Sequence, residues 1–399
     1  MSLQERLKMR KVEKKDCRQF NELLRYVYQV TDHDLRIKGW EEREITLALE
    51  QANVLGWFDG EQLISQLSVY PFQVNIFGHV YEMGGLTGVG TYPEYSNQGL
   101  VNKLMLQALV DMRQRKQFIS FLYPYSIPFY RRKGWEIISN KMTYEVKDYQ
   151  LPKVKKVSGN VERVSINNQD IRRIYQVFSH RQNAAMIRND LAWEEYWRWD
   201  LDNLTAGVYY DGSEQPQGYL LYWIAEEIFH IKEIVCINEE ARIGLWNFIS
   251  AHFSMLTKVM GSTYTDEPLA FLLGNGDIKE TIEPHFMARI VDAQQFIGQY
   301  PFRETAAETH LTFTLYDPML DWNQGIFTLH VTADGQGELI QGGVHPTASF
   351  DIQTLTTMLL GYKRPSYLAA IDRFTGDEQT VDILESLIER QTPYFSDYF

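Results

Sequence analysis

The positions of apolar residues predict alternating helices and strands over roughly residues 12–150. Helical spacing of apolar residues runs from Cys17 to Val30. Two hairpins follow, one turning at Asp59-Gly60 and the next at Gly78. After a second helical pattern, the mainly apolar segment from Phe118 to Leu122 has the length of a buried strand. This part of the chain is therefore expected to form a mixed sheet flanked by helices.

Two further units follow a predicted linker at residues 151–156. The first repeats the helix–strand plan loosely, with a strand at 231–237 that leads into a helix from Glu239 to about Thr257. The pattern then changes, and it predicts strands at 312–315, 325–329 and 349–352 and helices at 352–360 and 377–389. The predicted domains are 1–150, 151–288 and 289–399.

Composition narrows the class of protein. The chain has 399 residues and a net charge of −13, from 39 basic and 52 acidic residues, which argues against nucleic-acid binding. No stretch is apolar enough to span a bilayer, and the polar N-terminus does not resemble a signal peptide. Cys17 and Cys236 are far apart and lack metal-type neighbours. We therefore expect a cytoplasmic protein with no membrane span and no metal.

The stretch from Thr87 to Met105 carries the main chemical signal. A glycine-rich extended segment passes through the polar loop 95–99 into an apolar helical pattern that begins at Leu100. The first N–H groups of a helix lack intrahelical partners and attract anions. Gly99 has no Cβ to keep a phosphate away from the backbone. The loop predicts a pyrophosphate site, although most such junctions in α/β folds bind nothing.

The corresponding junction of the second unit differs. Its strand leads into the helix through Asn238-Glu239-Glu240, without a glycine and with two carboxylates that would repel a phosphate. The second unit is therefore predicted to be a copy without the anion site.

A second motif, Phe129-Tyr130-Arg131-Arg132-Lys133-Gly134-Trp135, follows the loop. Together the loop and this motif resemble the signatures of the GNAT acetyltransferase superfamily, whose members bind acyl-CoA. Two positions depart from that pattern. Ser96 stands where an Arg or Gln usually opens the loop, and Val101 stands where a small residue usually closes it.

The whole chain resembles the Eis family of bacterial N-acetyltransferases, on two further features. These are the degenerate second unit and a C-terminal domain that ends in an aromatic tail, residues 394–399. The resemblance implies an α+β fold with tandem GNAT-type mixed sheets flanked by helices. It also implies a C-terminal sterol-carrier-like α/β domain, which the segment 351–362 resembles, and a homo-hexamer.

When the family's site residues are carried over to the matching positions of this sequence, the resemblance implies a binding site for acetyl-CoA. The backbone of Val89, Gly90 and Thr91 would hold the pantetheine and the acetyl carbonyl. The residues that would wrap the pyrophosphate are Asn97, Gln98, Gly99, Leu100, Val101 and Asn102. Tyr125 and Ser126 would lie beside the cofactor. Because Ser96 carries no charge, backbone donors would have to supply most of the phosphate binding.

The resemblance also implies the acid and the base of amine acetylation. Tyr130 would donate a proton to the departing thiolate, since a tyrosine phenol ordinarily has a pKa of about 10. The C-terminal carboxylate of Phe399 would accept the proton of the amine, with the aromatic tail packed to hold it. Considered without the family pattern, Tyr130 predicts a core tyrosine and Phe399 a docked apolar tail.

The substrate is less defined. A cluster of acidic side chains around one tryptophan would suit a polyamine, and it consists of Asp32, Asp34, Trp40, Glu41, Glu42 and Glu44. Such runs are commonly solvated helix faces. Trp193 and Trp197, at helical spacing, predict core packing. The leading hypothesis is acetyl-CoA-dependent N-acetylation of polycationic small molecules, aminoglycoside-like or polyamine, or of lysine side chains.

Two alternatives stay open at this point. Protein N-myristoyltransferases also resemble tandem GNAT units with a C-terminal carboxylate base, although the sterol-carrier-like domain speaks against them. A non-catalytic protein would use the GNAT units as a scaffold and bind an apolar ligand or partner through its third domain.

Overall fold

The computed structural model describes residues 6–29, 50–197, 204–264 and 268–399. The helices and strands of the first third are β1 (Leu7–Lys11), α1 (Cys17–Tyr28), β2 (Asn53–Asp59), β3 (Gln62–Ile76), β4 (His79–Thr91), α2 (Leu100–Gln114), β5 (Ile119–Leu122), α3 (Ile127–Arg131), β6 (Glu136–Ile137) and β7 (Asn140–Lys147). The two predicted hairpins are confirmed, because β2 pairs with β3 and β3 with β4 in antiparallel register.

The middle of the chain adds β8 (Asn160–Val164), α4 (Gln169–Ser179), β9 (Met186–Ile187), α5 (Asp190–Trp197), β10 (Thr205–Tyr210), β11 (Pro216–Ala225), β12 (Ile228–Cys236), α6 (Glu239–Ser250), β13 (Lys258–Thr263) and β14 (Lys279–Pro284). Helix α6 starts where the sequence predicts and stops at Ser250, short of the predicted Thr257. The chain then makes a single 3-10 turn, Phe253–Met255, before β13.

The last third contains β15 (Met287–Ile290), α7 (Ala293–Ile297), β16 (Thr309–Tyr316), β17 (Gly325–Val331), β18 (Gly337–Gln341), β19 (Ala348–Asp351), α8 (Ile352–Leu359), α9 (Pro365–Ala370), β20 (Phe374–Gly376) and α10 (Glu378–Leu387). Strand β18 and helix α9 are too short to be visible in the hydrophobic pattern. The last residues, 388–399, form no regular element.

These strands form three mixed sheets with helices packed on them, which confirms the predicted fold class. The eight-stranded sheet has the order β1-β2-β3-β4-β5-β15-β6, with β9 paired to β3. The seven-stranded sheet has the order β14-β7-β13-β12-β11-β10-β8, and the five-stranded sheet has the order β18-β17-β16-β19-β20. Within the described ranges, no helix has the length and apolar character needed to cross a membrane.

The first two sheets exchange strands. Strand β7 follows the first sheet in the chain but pairs with β13 and β14 of the second. Strand β15 follows the second sheet and returns to the first, where Met287 is opposite Leu122. The domain limits at 150 and 288 remain predictions. Strand exchange places Tyr144 and Val146 in the core of the second sheet and Met287 in the core of the first.

The first sheet opens between β4 and β5. These parallel strands pair at Met83, Gly84 and Gly85 and no further, while β4 continues to Thr91. A β-bulge distorts β4 on its other side, at Gly88, whose φ of +62° is in the left-handed region. The edge of β4 beyond Gly85 is therefore released from β5, and its backbone groups are available to a ligand.

Candidate active site

The N-terminus of α2 lies directly after β4 and has no side-chain cap. Gly99 is its N-cap residue, with φ +71°, and a Cβ added there would meet nothing within 4 Å. The first helical hydrogen bond runs from the Lys103 N–H to the Gly99 carbonyl at 3.2 Å. The three preceding N–H groups therefore face open space at the positive end of the helix dipole, as an anion site requires.

The predicted pyrophosphate residues surround this helix start. Leu100 is buried, and its carbonyl accepts a hydrogen bond from the Trp57 indole at 3.2 Å, which fixes the start of the helix. Asn97, at φ +62°, and Asn102 are exposed. Gln98 and Val101 are half-buried. The backbone is therefore held firmly while its polar side chains remain free to contact a ligand.

The predicted acetyl-binding segment is the open end of β4. Val89 and Thr91 are half-buried, and the Thr91 hydroxyl is 2.7 Å from that of Ser65. Gly90 is buried beneath α1, because a Cβ there would lie 2.9 Å from Val27. This close approach brings the end of α1, and with it Tyr28, over the bulge in β4.

Tyr130 lies on α3 and is only 6% exposed. Its ring is 5.1 Å from that of Phe129 and 6.3 Å from that of Trp135, and its carbonyl accepts from the Trp135 N–H. Burial, with a smaller effect of Tyr28, raises the pKa of the Tyr130 phenol well above its usual 10. The phenol therefore keeps its proton at neutral pH, which is the state that a general acid needs.

Tyr28 is a residue of this site that the sequence analysis missed. Burial and then Tyr398 raise the pKa of its phenol, while the backbone N–H groups of Val89 and Gly88 lower that pKa by hydrogen bonding. The hydroxyl thus lies at the backbone of Val89, one of the three residues assigned above to the acetyl group, and of the preceding Gly88. It also links Tyr130 on one side to the C-terminal tail on the other. The sequence gives no signal for this role, because Tyr28 is only the last residue of an amphipathic helix.

The C-terminal residue reaches the point where β4 and β5 separate. Phe399 is 8% exposed, and its ring is 5.0 Å from that of Phe72 and 5.3 Å from that of Phe286. A Cβ on Gly85, the last β4 residue paired with β5, would lie 2.9 Å from this ring. The tail therefore ends inside the first sheet, although it follows the third domain in the chain.

A buried ion cluster holds the tail two residues earlier. Arg188 donates from Nε to the Asp397 carboxylate at 2.7 Å and from a terminal nitrogen to Glu233 at 2.8 Å, with all three side chains at most 3% exposed. The guanidinium also lies 3.8 Å from the ring centroids of Tyr175 and Tyr196. Because Glu233 is on β12 and Arg188 follows β9, the second unit supplies the anchor for the tail.

His285 braces the same segment from the other side. It is 6% exposed, and its ring is 4.9 Å from that of Phe286, which packs on Phe399 of the tail. Burial lowers the pKa of His285 to about 3, so the imidazole is neutral at physiological pH. Tyr123 stacks edge-on between His285, at 5.6 Å, and Tyr398, at 5.0 Å. Arg188, Glu233 and His285 are further residues of this site that the sequence does not reveal, because their neighbours come from distant segments.

Other predicted residues are less closely connected with this centre. Tyr125 is 96% exposed, and Ser126 is the N-cap residue of α3 without a side-chain hydrogen bond to the helix. Trp193 is 3% exposed and packs on Tyr175, which fits the predicted core role, whereas the side chain of Trp197 is outside the described set. The acidic cluster around Trp40 lies within residues 30–49, outside the described residues.

Three family profiles match the chain. Residues 8–138 and 184–290 each match an acetyltransferase (GNAT) domain, and residues 293–396 match a sterol carrier protein domain. No curated protein sequence matches the chain.

Solved structures are similar over nearly the whole length. A probable N-acyltransferase of unknown function from Enterococcus faecalis V583 has a TM-score of 0.92 at 28% identity, covering 98% of this chain and 100% of that one. A GCN5-related N-acetyltransferase from Anabaena variabilis ATCC 29413 has a TM-score of 0.87 at 23% identity, over 99% and 100%. Eis1 from Mycobacterium abscessus has a TM-score of 0.81 at 16% identity, over 98% and 100%. At their identities, the last two show a shared fold.

A sheet that opens beside an uncapped helix, within the first of two GNAT units, defines an acyltransferase of the GNAT class. The chain contains two GNAT domains, at residues 8–138 and 184–290. Its organisation is Eis-like, with two GNAT domains followed by a sterol carrier protein domain. The resemblance stated from the sequence is thereby confirmed.

Proposed function

We propose that this protein transfers the acetyl group of acetyl-CoA to a primary amine of a polycationic small molecule or a lysine side chain. The observation that carries the proposal is the C-terminal Phe399, buried where β4 and β5 separate. Its ring packs on Phe72 and Phe286 inside the first sheet, beside the strand assigned to the acetyl group. In that position the Phe399 carboxylate would serve as the base of the acyl transfer.

The proposed reaction has two proton transfers, one to the Phe399 carboxylate and one from the Tyr130 phenol. The Phe399 carboxylate accepts a proton from the attacking amine, and the new N–C bond forms at the thioester carbon. The backbone N–H groups of Val89 and Gly88 stabilise the negative charge on the carbonyl oxygen. When the C–S bond breaks, Tyr130 gives its proton to the thiolate of CoA. Protons and charge balance once solvent has taken the proton from the Phe399 carboxyl group and has returned one to the Tyr130 phenolate.

Acetyl-CoA would be held mainly by backbone. The uncapped N-terminus of α2 would contact the pyrophosphate through Gly99, Leu100 and Val101. Asn97, Gln98 and Asn102 would add neutral hydrogen bonds, and Ser96 is exposed nearby. The phosphate contacts would therefore lack the strength of bidentate arginine pairs.

A cationic substrate suits the surroundings of the tail. The net charge of −13 attracts cations over a distance. Three tyrosines near the tail are about half exposed, namely Tyr28, Tyr123 and Tyr398. Their rings offer cation–π contacts to an ammonium group. We further propose a cytoplasmic homo-hexamer, as the Eis-like organisation suggests.

The decisive experiment adds two alanines after Phe399. This extension moves the carboxylate and leaves the helix start at Gly99 untouched. We expect kcat/KM with a polyamine or an aminoglycoside to fall by about 100-fold or more, the lower range for losing a general base. Calorimetric affinity for acetyl-CoA should stay within about twofold of the unmodified chain, a difference well under 1 kcal/mol.

The matched control is Phe399→Leu, which alters the ring and keeps the carboxylate at the same chain position. It should retain more activity than the extended chain. Unchanged turnover in the extended chain would show that the base assignment is wrong. Absence of acetyl-CoA binding in the unmodified chain would favour the alternative, a non-catalytic protein that binds an apolar ligand or partner through its third domain.

A further inference from the structure

Three potential metal ligands meet on the outer face of the five-stranded sheet, far along the chain from the residues of the active site. His310 on β16 is directly opposite His330 on β17. Glu308 precedes His310 by two residues, and side chains two apart in an extended chain face the same way. Among the described residues, this is the one group of three or more His, Cys, Asp or Glu side chains arranged to hold a metal ion.

The side chains are already close to one another. The two imidazole rings are parallel within 4° at a centroid distance of 4.4 Å. The Glu308 carboxylate is 2.9 Å from Nε2 of His330. One ligand atom from each of the three lies within 4.8 Å of the others. On the next strand, β18, Glu338 is opposite His330 and supplies a further carboxylate to the same row.

The geometry points to a binding site for one divalent transition-metal ion, and Zn²⁺ is the ion that we infer. Imidazole nitrogen and carboxylate oxygen are ligands that Zn²⁺ accepts at about 2.0–2.2 Å, so ligand atoms sit about 3.3 Å apart around a tetrahedral ion. Modest rotations of His310 and Glu308, which are both exposed, would close the remaining gap. The ion replaces the proton shared by Glu308 and His330, and water or Glu338 takes the fourth position.

Several features of the sheet favour a site over a chance cluster. The two histidines are on paired strands, so the backbone ladder holds their Cβ atoms at a fixed separation. His330 is half-buried on β17, between β16 and β18, which restricts its ring. The site is independent of the proposed acetyl transfer, because none of its residues belongs to the two GNAT profiles.

The test is a titration of the full-length protein after chelator dialysis. We expect calorimetry to show one Zn²⁺ per chain, and Co²⁺ to give the visible absorption of a tetrahedral site. His310→Ala and His330→Ala should each weaken Zn²⁺ binding at least about tenfold, since even indirect partners of a metal contribute about 10- to 100-fold. Added Zn²⁺ should also raise the melting temperature of the unmodified chain.

The matched control is His345→Asn, because His345 is an exposed histidine of the same domain outside the cluster. Its Zn²⁺ affinity should equal that of the unmodified chain. Melting curves in chelator show whether each variant is folded, and Glu308→Gln provides a third variant with little change in volume. The proposal is overturned if the unmodified chain binds no Zn²⁺, or if the histidine variants bind it as tightly as the control.

Discussion

The two GNAT units carry the same strand-to-helix junction, and only the first leaves it open. In the first unit, α2 begins at Gly99 with no side-chain cap. In the second, Asn238 caps α6 by accepting from the Ala241 N–H at 2.9 Å. Glu240 is held there by the Ser158 N–H and the Tyr209 hydroxyl. The same fold thus provides an anion site only where no side chain of the protein caps the first N–H groups of the helix.

The openings between the parallel strands of the two sheets are associated with different parts of the C-terminal tail. In each unit a pair of parallel strands, β4 with β5 and β12 with β13, is joined by three residue pairs before it separates. The second opening is lined by the ion cluster of Glu233 and Arg188, which grips the tail at Asp397. The first receives the end of that tail, Phe399. The second unit therefore holds the segment whose last residue lies in the first unit.

The largest expected effect comes from removing Arg188, the cation that holds the tail. Arg188→Met leaves Glu233 and Asp397 buried without their cation, and breaking such a pair costs about 3–5 kcal/mol. Urea unfolding measures this loss, and the extra mobility of Phe399 should lower kcat more than acetyl-CoA affinity. The control is Arg172→Met, which removes an exposed pair with Asp190 and should cost less than about 1 kcal/mol. Equal losses in the two variants would contradict a supporting role for the second unit.

The next effect concerns pH at the boundary between the units. The pKa of His285 is about 3 in the folded protein and 6.5 when unfolded, so the unfolded chain binds the proton first. Its contribution to stability is complete above pH 6.5 and is lost as the pH falls toward 3, by up to about 1.4 kcal/mol per pH unit.

This pH effect is measured by urea unfolding of the protein and of His285→Phe between pH 6.5 and 4.5. We expect the unmodified chain to lose more stability over this range than the variant. Parallel curves for the two proteins would show that His285 does not titrate in this way.

A smaller effect should follow from making the first helix start resemble the second. Asn102→Glu puts a carboxylate in the first turn of α2, where Asn102 is exposed. Acetyl-CoA affinity should fall about tenfold, which corresponds to 1.4 kcal/mol. Helix stability should rise slightly, because an acidic side chain favours the N-terminus. Asn102→Gln is the neutral control, and calorimetry that shows no difference between the two variants would argue against a phosphate at this position.

The smallest expected effect tests Tyr28. Tyr28→Phe removes the hydroxyl that contacts the Val89 and Gly88 N–H groups. Because one hydrogen bond contributes about 0.5–1.5 kcal/mol net, acetyl-CoA should bind about two- to tenfold more tightly. Weaker binding, measured by the same calorimetry, would mean that Tyr28 contacts the ligand instead of competing with it.

The local features of the site could be predicted from the sequence, and the reason is physical. Gly99, the apolar face that begins at Leu100 and the hairpin turns depend on backbone freedom and side-chain periodicity, which act over a few residues. The same holds for the second unit, where the missing glycine and the two carboxylates after Asn238 predict no anion site. The family resemblance then joined the helix start to Tyr130.

Contacts between distant segments were not accessible in this way. Nothing in the sequence pairs Arg188 with Asp397, 209 positions later, or brings Tyr28 to the bulge in β4. The exchange of β7 and β15 was missed as well, because hydrophobic patterning identifies a strand but not its partner.

The sequence by itself determined the order of elements, the open helix start at Gly99, the lack of an anion site after Asn238 and the apolar character of the tail. These properties follow from local backbone preferences and from burial, which depend on residue type. Only the tertiary structure decided where the tail ends and what holds it there. That outcome depends on an ion cluster assembled from three distant segments, and its stability comes from burial that no single segment provides.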